Sequence, residues 1–298
     1  MDEETIHIPV LKNEVVSYLN CRRGKVYVDG TVGGGGHAQA ILEASSPDGF
    51  LIGLDMDTEA LAQAEKALAP YEGRYELKKG NYAQMGTILK ALGQEKVDGI
   101  ILDLGMSSLQ LAVPERGFSF LHTGPLDMRM DKSSSLTAAQ IVNRWSQKRL
   151  MDIIKQYGEE KWAGRIAKHI VNVRTKHLIQ TTTQLAEVIA QAIPRRYWPR
   201  SIHPATRTFQ ALRIAVNQEL ENLKSFLNQA LNLLLSQGRL VIISFHSLED
   251  RLVKTAFKQW AKEGKAQLLT KKPIQPSEEE VKFNPRARSA KLRAIECI

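Results

Sequence analysis

Val26-Tyr27-Val28-Asp29-Gly30-Thr31-Val32-Gly33-Gly34-Gly35-Gly36-His37, followed further on by Gly53-Leu54-Asp55, reads as a strand, a glycine turn, a helix and a second strand ending in an acid. Four successive glycines remove every Cβ where the backbone must turn sharply and where a ligand can come close. The helix that follows, over 38–43, offers unpaired N–H groups at its start. Asp55, about 20 residues on, is placed to accept hydrogen bonds from a ribose diol. A flexible turn before an apolar helix is the plainer reading of the glycines alone. The flanking strand, helix and acid-terminated second strand are the context that a nucleotide fingerprint requires.

Outward from this stretch the same alternation continues. Strand-like runs at 25–29, 50–55, 74–77 and 99–103 alternate with helical patterns at 38–43, 59–69 and 83–92, which predicts a doubly wound, mostly parallel sheet. The alternation stops after Leu104. A Gly-, Pro- and Ser-containing loop over 105–132 leads into a helical stretch over 136–193 that has no β-branched strand runs. Arg239-Leu240-Val241-Ile242-Ile243-Ser244-Phe245 restores a strand, after a long helical stretch over 206–235 that Gly238 is expected to cap. The segment 270–283, with two prolines and Glu278-Glu279-Glu280, reads as a mobile surface loop, and the end of the chain is basic. The expected organisation is an α/β domain in two parts, 1–112 and 214–298, interrupted by an inserted all-helical domain over 113–213.

The net charge of +9 over 298 residues is unevenly placed. From Arg144 to Arg213 there are 14 Lys/Arg against 4 Asp/Glu, whereas the remainder has 27 against 28. A basic face so concentrated suits phosphate contacts and steering toward nucleic acid, although a solvated helical surface is the alternative. Cys21 and Cys297 stand at opposite ends without ligand spacing, and the seven His are scattered, so neither a disulfide framework nor a metal site is expected. No apolar run reaches the roughly 18 residues that span a bilayer, and the acidic start is unlike a signal peptide, so a cytoplasmic location away from membranes is expected.

In an open parallel sheet, ligands bind beyond the carboxyl ends of the strands. Those ends contribute the turn 33–37, Asp55, Asn81-Tyr82, Asp103-Leu104-Gly105-Met106-Ser107-Ser108 and Ser244-Phe245-His246-Ser247. Tyr82 is suited to flank an adenine, and Asp103 to meet an amino group of the cofactor or of the acceptor. His246 is either an acid–base or orienting group or a structural histidine. The mixed aromatic and basic loop over 115–131, with Arg116 and Arg129, is either a base-stacking element or a packed lid. Arg195, Arg196, Arg200 and Arg207, with Tyr197 and Trp198 among them, form the densest candidate nucleic-acid face.

The order Asp29-x-Thr31-x-Gly33-x-Gly35 resembles the acid-plus-glycine loop of S-adenosyl-L-methionine methyltransferases more than a dinucleotide fold. Longer blocks sharpen the resemblance. Asp29-Gly30-Thr31-x-Gly33-Gly34-Gly35-Gly36-His37, Asp103-Leu104-Gly105-Met106-Ser107-Ser108-x-Gln110-Leu111, Glu115-Arg116-Gly117-Phe118-Ser119-Phe120, Gly124-Pro125-Leu126-Asp127-Met128-Arg129-Met130-Asp131, His203-Pro204-Ala205-Thr206-Arg207-Thr208-Phe209-Gln210-Ala211 and Ser244-Phe245-His246-Ser247-Leu248-Glu249-Asp250-Arg251 closely resemble the bacterial RsmH (MraW) family, in order, from His7 to Asn284-Pro285-Arg286-x-Arg288-Ser289.

That resemblance implies a Rossmann-like fold and methylation of the exocyclic N4 of a cytidine in the decoding centre of 16S ribosomal RNA. It implies cofactor contacts at Gly34, Gly35, Gly36, His37, Asp55, Tyr82 (where the family usually has Phe), Asp103 and Gln110. Asp103, Ser107, Ser108 and His246 are the candidate catalytic set. The expected acceptor is the small ribosomal subunit, partly or fully assembled, and a homodimer is open. A methyltransferase acting on another RNA or on a protein, or a non-catalytic RNA-binding protein of the same fold, are the alternatives.

Overall fold

The computed structural model describes residues 9–298; His7 and the side chains of Ser108 and Leu109 lie outside the described residues. Seven strands form one sheet: β1 (Val26–Asp29), β2 (Phe50–Asp55), β3 (Tyr75–Lys79), β4 (Val97–Asp103), β5 (Leu234–Ser244), β6 (Ala266–Leu268) and β7 (Lys291–Cys297). Their order is β3-β2-β1-β4-β5-β7-β6. The strands from β1 to β5 pair in parallel, and β7 runs antiparallel to both β5 and β6. Strand order therefore reverses between β1 and β4, the position where open α/β sheets leave a crevice.

Both faces of this sheet are covered, which is why its strands read as continuous apolar runs. Along β4, Ile100 and Leu102 enter one core and Ile101 the other. The first core packs the sheet against α4 (Met85–Ala91), α11 (Glu219–Ala230) and α12 (Ser247–Lys262) through Met85, Leu89, Phe226, Val253 and Phe257. The second packs it against α1 (Lys12–Leu19), α2 (Gly36–Ala44) and α3 (Thr58–Leu68) through Val15, Leu19, Ile41, Leu42, Ala64 and Leu68. Asp57 begins α3 by accepting from Glu59 N, satisfying one of the orphan donors of its first turn.

The chain divides into two compact units, residues 1–107 with 220–298 and residues 108–219. These boundaries fall a few residues from the 112/113 and 213/214 positions read from the sequence. The second unit holds α5 (Ser108–Ala112), α6 (Ala138–Arg144), α7 (Gln147–Gly158), α8 (Ala163–Arg174), α9 (Thr182–Ala192) and α10 (Thr206–Asn217). Capping boxes start α6 at Thr137 with Gln140 and α9 at Thr181 with Gln184. Arg213 and Glu219 form a buried two-pronged ion pair in this unit.

Three sequence expectations are corrected. The stretch 206–235 is not one helix, because Gln218 adopts a left-handed conformation that separates α10 from α11. Gly238 lies inside β5, where the register against β4 shifts between Val97 and Gly99, and a Cβ there would press on Leu235 O; it marks a bulge and not a helix end. The segment 270–283 is fastened to the sheet unit: Ile274 bridges to Leu292, and α13 (Glu278–Phe283) starts on a Ser277 cap. Among the described residues no helix is long and apolar enough to cross a membrane.

Candidate active site

The turn after β1 is set by its own polar groups. Asp29 accepts from Thr31 N through Oδ1 at 3.1 Å, and the Thr31 hydroxyl accepts from Asp103 N at 2.7 Å, tying the end of β1 to the end of β4. Gly33 and Gly35 occupy left-handed conformations at φ of 50° and 89°, which the absence of a Cβ permits. Gly33 N donates to Asp55 Oδ2 at 2.9 Å, and Asp57 N donates to Asp55 Oδ1 at 2.9 Å. The acid at the end of β2 thus holds the glycine turn in place, with lone pairs on both oxygens remaining.

Gly34 is different. Its φ is not positive, and a Cβ built on it meets only Gln63 Oε1 at 3.6 Å, an ordinary contact. Neither backbone conformation nor packing requires a glycine there.

At the start of α2, His37 is buried, with Nε2 3.4 Å from Asp103 Oδ2. That is close enough for charge attraction but off the line of a hydrogen bond, and both ring nitrogens are without a hydrogen-bond partner. Asp29 Oδ2 and Asp103 Oδ1 are buried without one as well. Four unsatisfied polar atoms on three neighbouring ionisable side chains, at the switch point of a parallel sheet, are far from the usual rule that buried polar groups are paired.

The electrostatics follow from this crowding. Burial lifts the Asp29 carboxyl to about 7, against the downward pull of the His37 charge and the Thr31 N–H. Burial alone lowers the His37 imidazole, but the carboxylates of Asp103 and Asp29 outweigh it and leave it raised. Burial also lifts Asp55 to about 6, despite the N–H groups of Asp57 and Gly33. In each case the folded protein keeps a proton that the unfolded chain has lost. Stability contributed by Asp29 is present near pH 4 and falls as pH rises toward about 7. Asp29→Asn keeps the acceptor for Thr31 N, so the expected result is a flatter dependence of the urea midpoint on pH over that range. An unchanged slope in the variant would show that Asp29 is not the group responsible.

The other predicted residues are placed as follows. Tyr82 follows β3 in a short helical turn capped by Asn81, is buried, and packs edge-on against Phe226 at 6.0 Å. His246 caps α12: its Nδ1 accepts from Glu249 N at 3.4 Å, Glu249 Oε2 accepts from Phe245 N at 2.9 Å, and Nε2 lies off-axis 3.1 Å from Glu249 Oε1. His246 therefore caps a helix through Nδ1, while its Nε2 is buried without a hydrogen-bond partner. Ser107 ends the sheet unit's first segment, whereas Ser108 and the buried Gln110 fall on α5 in the helical unit.

Arg116 and Arg129 brace their own loop, as a packed lid would require. Arg116 is buried and donates to the carbonyls of Arg129 and Met130. Arg129 grips both oxygens of Asp127 and donates to the carbonyls of Lys132 and Ser134. By contrast Arg195, Arg196 and Arg200 are exposed, and the Arg196 guanidinium lies 4.8 Å from the half-exposed Tyr197 ring. Arg207 is exposed too and donates to Glu159 O at 3.3 Å. Asp29 and Thr31 belong to the site as well; their sequence signal is the position directly between the first strand and its glycines.

The model of the MraW methylase family matches residues 4–298. A protein of Geobacter sulfurreducens named ribosomal RNA small subunit methyltransferase H is 52% identical, across 97% of this chain and 98% of its own length. A protein of the same name from Syntrophobacter fumaroxidans is 50% identical, across 97% of this chain and 96% of its own. Among solved structures, a putative rRNA-methylase from Clostridium thermocellum aligns with a TM-score of 0.47 and 13% identity, over 98% of this chain and 100% of that one.

Proposed function

Because this chain belongs to the MraW methylase family, we propose that it transfers the methyl group of S-adenosyl-L-methionine to the exocyclic N4 of a cytidine in the decoding centre of 16S ribosomal RNA. The name of its full-length relatives supports the ribosomal acceptor. The observation that carries the reading is the group of buried, unpartnered atoms on Asp29, His37 and Asp103 beside the glycine turn. Each such atom left unmet costs about 1–3 kcal/mol. A ligand bearing both an ammonium and a carboxylate offers donors and acceptors to match those of Asp29 and His37, and an acceptor amine offers a donor to match that of Asp103.

The residues present therefore fit the cofactor. Gly34, Gly35, Gly36 and His37 would receive its amino-acid part, Asp55 its ribose hydroxyls and Tyr82 its base. When bound, its sulfonium supplies an electrophilic methyl group. The cytosine N4 amine is a poor nucleophile, because its lone pair is delocalised into the ring. The protein's work is thus positional, and it falls first on Asp103, whose Oδ2 is beside His37 and whose Oδ1 remains for the acceptor. A carboxylate accepting from N4–H draws the nitrogen toward tetrahedral geometry and fixes its direction of approach. The proton released after transfer goes to water or to that carboxylate. Ser107 lies four residues past Asp103 as a further acceptor-side group, and the target nucleotide must leave its stack to be reached.

On the helical unit, Arg195, Arg196 and Arg200 form the RNA-contacting ridge, with Tyr197 for stacking. The acceptor is the small subunit, partly or fully assembled, in the cytoplasm. Replacing Arg195, Arg196 and Arg200 together with Glu is expected to weaken subunit binding and to flatten its dependence on salt, by about 0.9 in log–log slope for each phosphate no longer neutralised. Cofactor affinity and thermal stability should hold, since all three side chains are exposed. Unaltered methylation of subunits by this variant would remove the ridge from the account.

A further inference from the structure

The basic end of the chain is left unused by the site and by the helical ridge. From Thr270 to Arg293 there are seven Lys/Arg against three Glu. Two of the seven are committed: Arg293 holds both oxygens of Asp250, and Lys291 lies 3.8 Å from the same carboxylate. Lys271, Lys272, Lys282, Arg286 and Arg288 are exposed and make no ion pair among the described residues. Beside them Phe283, the last residue of α13, is 71% exposed. An aromatic ring that open gains little from packing; Lys282 precedes it, and Arg286 and Arg288 follow three and five residues on.

This segment is fixed, and fixed close to the active site. Glu280 Oε1 accepts from Leu11 N at 2.7 Å. Two residues earlier, Pro9 packs so closely on the glycine turn that a Cβ on Gly36 would meet its ring at 3.2 Å. The Glu280 charge contributes to the field at His37. The three glutamates occupy the first turn of α13, after its Ser277 cap, where a negative charge suits the helix N-terminus; the cations follow at its end. Behind them, Ala287 and Ala290 are buried in the sheet unit and anchor the turn that displays Arg286 and Arg288.

We propose that Phe283, Lys282, Arg286 and Arg288, flanked by Lys271 and Lys272, form a second RNA-contacting surface, on the sheet unit itself and next to the cofactor turn. It rests on the reading of the protein as an RNA methyltransferase and specifies where the strand around the target nucleotide is held. An exposed ring among unpaired cations fits single-stranded RNA, whose bases stack on aromatics while its phosphates meet Arg and Lys. It fits a second copy of this chain less well, since like-charged faces repel.

The test uses the full chain, small ribosomal subunits lacking the modification, and two variants, Phe283→Ala and R286E/R288E. The expected results are a rise of about tenfold in KM for subunits in each variant, corresponding to ~1.4 kcal/mol, and an unchanged kcat at saturation. Affinity for S-adenosyl-homocysteine should be unchanged, and the salt slope of the double variant should flatten by the equivalent of about two neutralised phosphates. Unchanged KM and slope in variants that melt like the parent would overturn the proposal. So would a shift from dimer to monomer on sedimentation of Phe283→Ala with no effect on RNA, which would assign the face to self-association. If the unaltered protein neither binds nor methylates subunits, the underlying functional reading has failed, and that outcome is separate from either variant's behaviour.

Discussion

Replacing Asp103 with Asn is expected to lower the kcat of RNA methylation on the order of 10²-fold, with a much smaller loss of cofactor affinity. The carboxylate stands at the end of β4, its backbone N–H held by the Thr31 hydroxyl and one oxygen beside His37, so the chain around it is fixed before any ligand arrives. Its other oxygen is buried and unpartnered. Asn preserves shape and the backbone tie but presents a neutral amide that accepts weakly from an amine developing positive charge. The split between kcat and cofactor affinity is informative. If cofactor affinity collapsed while kcat at saturation held, Asp103 would belong to the cofactor's ammonium alone. Melting temperature, measured alongside, separates either result from a folding defect.

A second large effect is expected at Gly34. Gly33 and Gly35 are required by their left-handed backbones, so substitution there strains the turn whatever binds to it. At Gly34 a methyl group meets only Gln63 Oε1, at 3.6 Å. Gly34→Ala should therefore fold with stability within about 1 kcal/mol of the parent. In the presence of cofactor, the same methyl group projects into space that the proposal gives to the ligand. Overpacking of about 1–3 kcal/mol corresponds to a roughly 10- to 100-fold loss of affinity. Calorimetric titration with S-adenosyl-homocysteine measures it, and parent-like affinity would mean that the ligand does not pass over this residue.

Much of the sheet unit was legible because its signals are local. Apolar strands ending in Asp29, Asp55 and Asp103, a glycine turn after the first, and helices between them follow from short-range chemistry. What escaped was set by distant partners. β7 carries Lys291, Arg293 and Glu296 among its seven residues, and its apolar run is only Leu292, Ala294 and Ile295, so charge masked a strand that pairing with β5 makes evident. The segment around Glu280 looked unstructured because its anchor, Leu11 N, is 269 residues away. Gln218 breaks a helix without glycine or proline, leaving no compositional mark.

The site shows the same division. Residue types at strand ends nominated Asp55, Asp103 and the 33–37 turn, but only coordinates distinguish an arginine that braces a loop from one that faces solvent. Arg116 and Arg129 carry the same charge as Arg195 and Arg196, and differ in having backbone carbonyls and Asp127 within reach. His246 likewise sits at a strand end where it also caps a helix, a contact that its residue type does not announce.

Incubating the purified protein with methyl-labelled S-adenosyl-L-methionine and small ribosomal subunits that lack the modification, then digesting the RNA to nucleosides, identifies cofactor, acceptor and atom together. Label is expected in N4-methylcytidine from a single position of the 16S RNA. Label in another nucleoside or in ribosomal protein, or cofactor binding with no transfer to subunits or to naked RNA, would contradict the proposed activity.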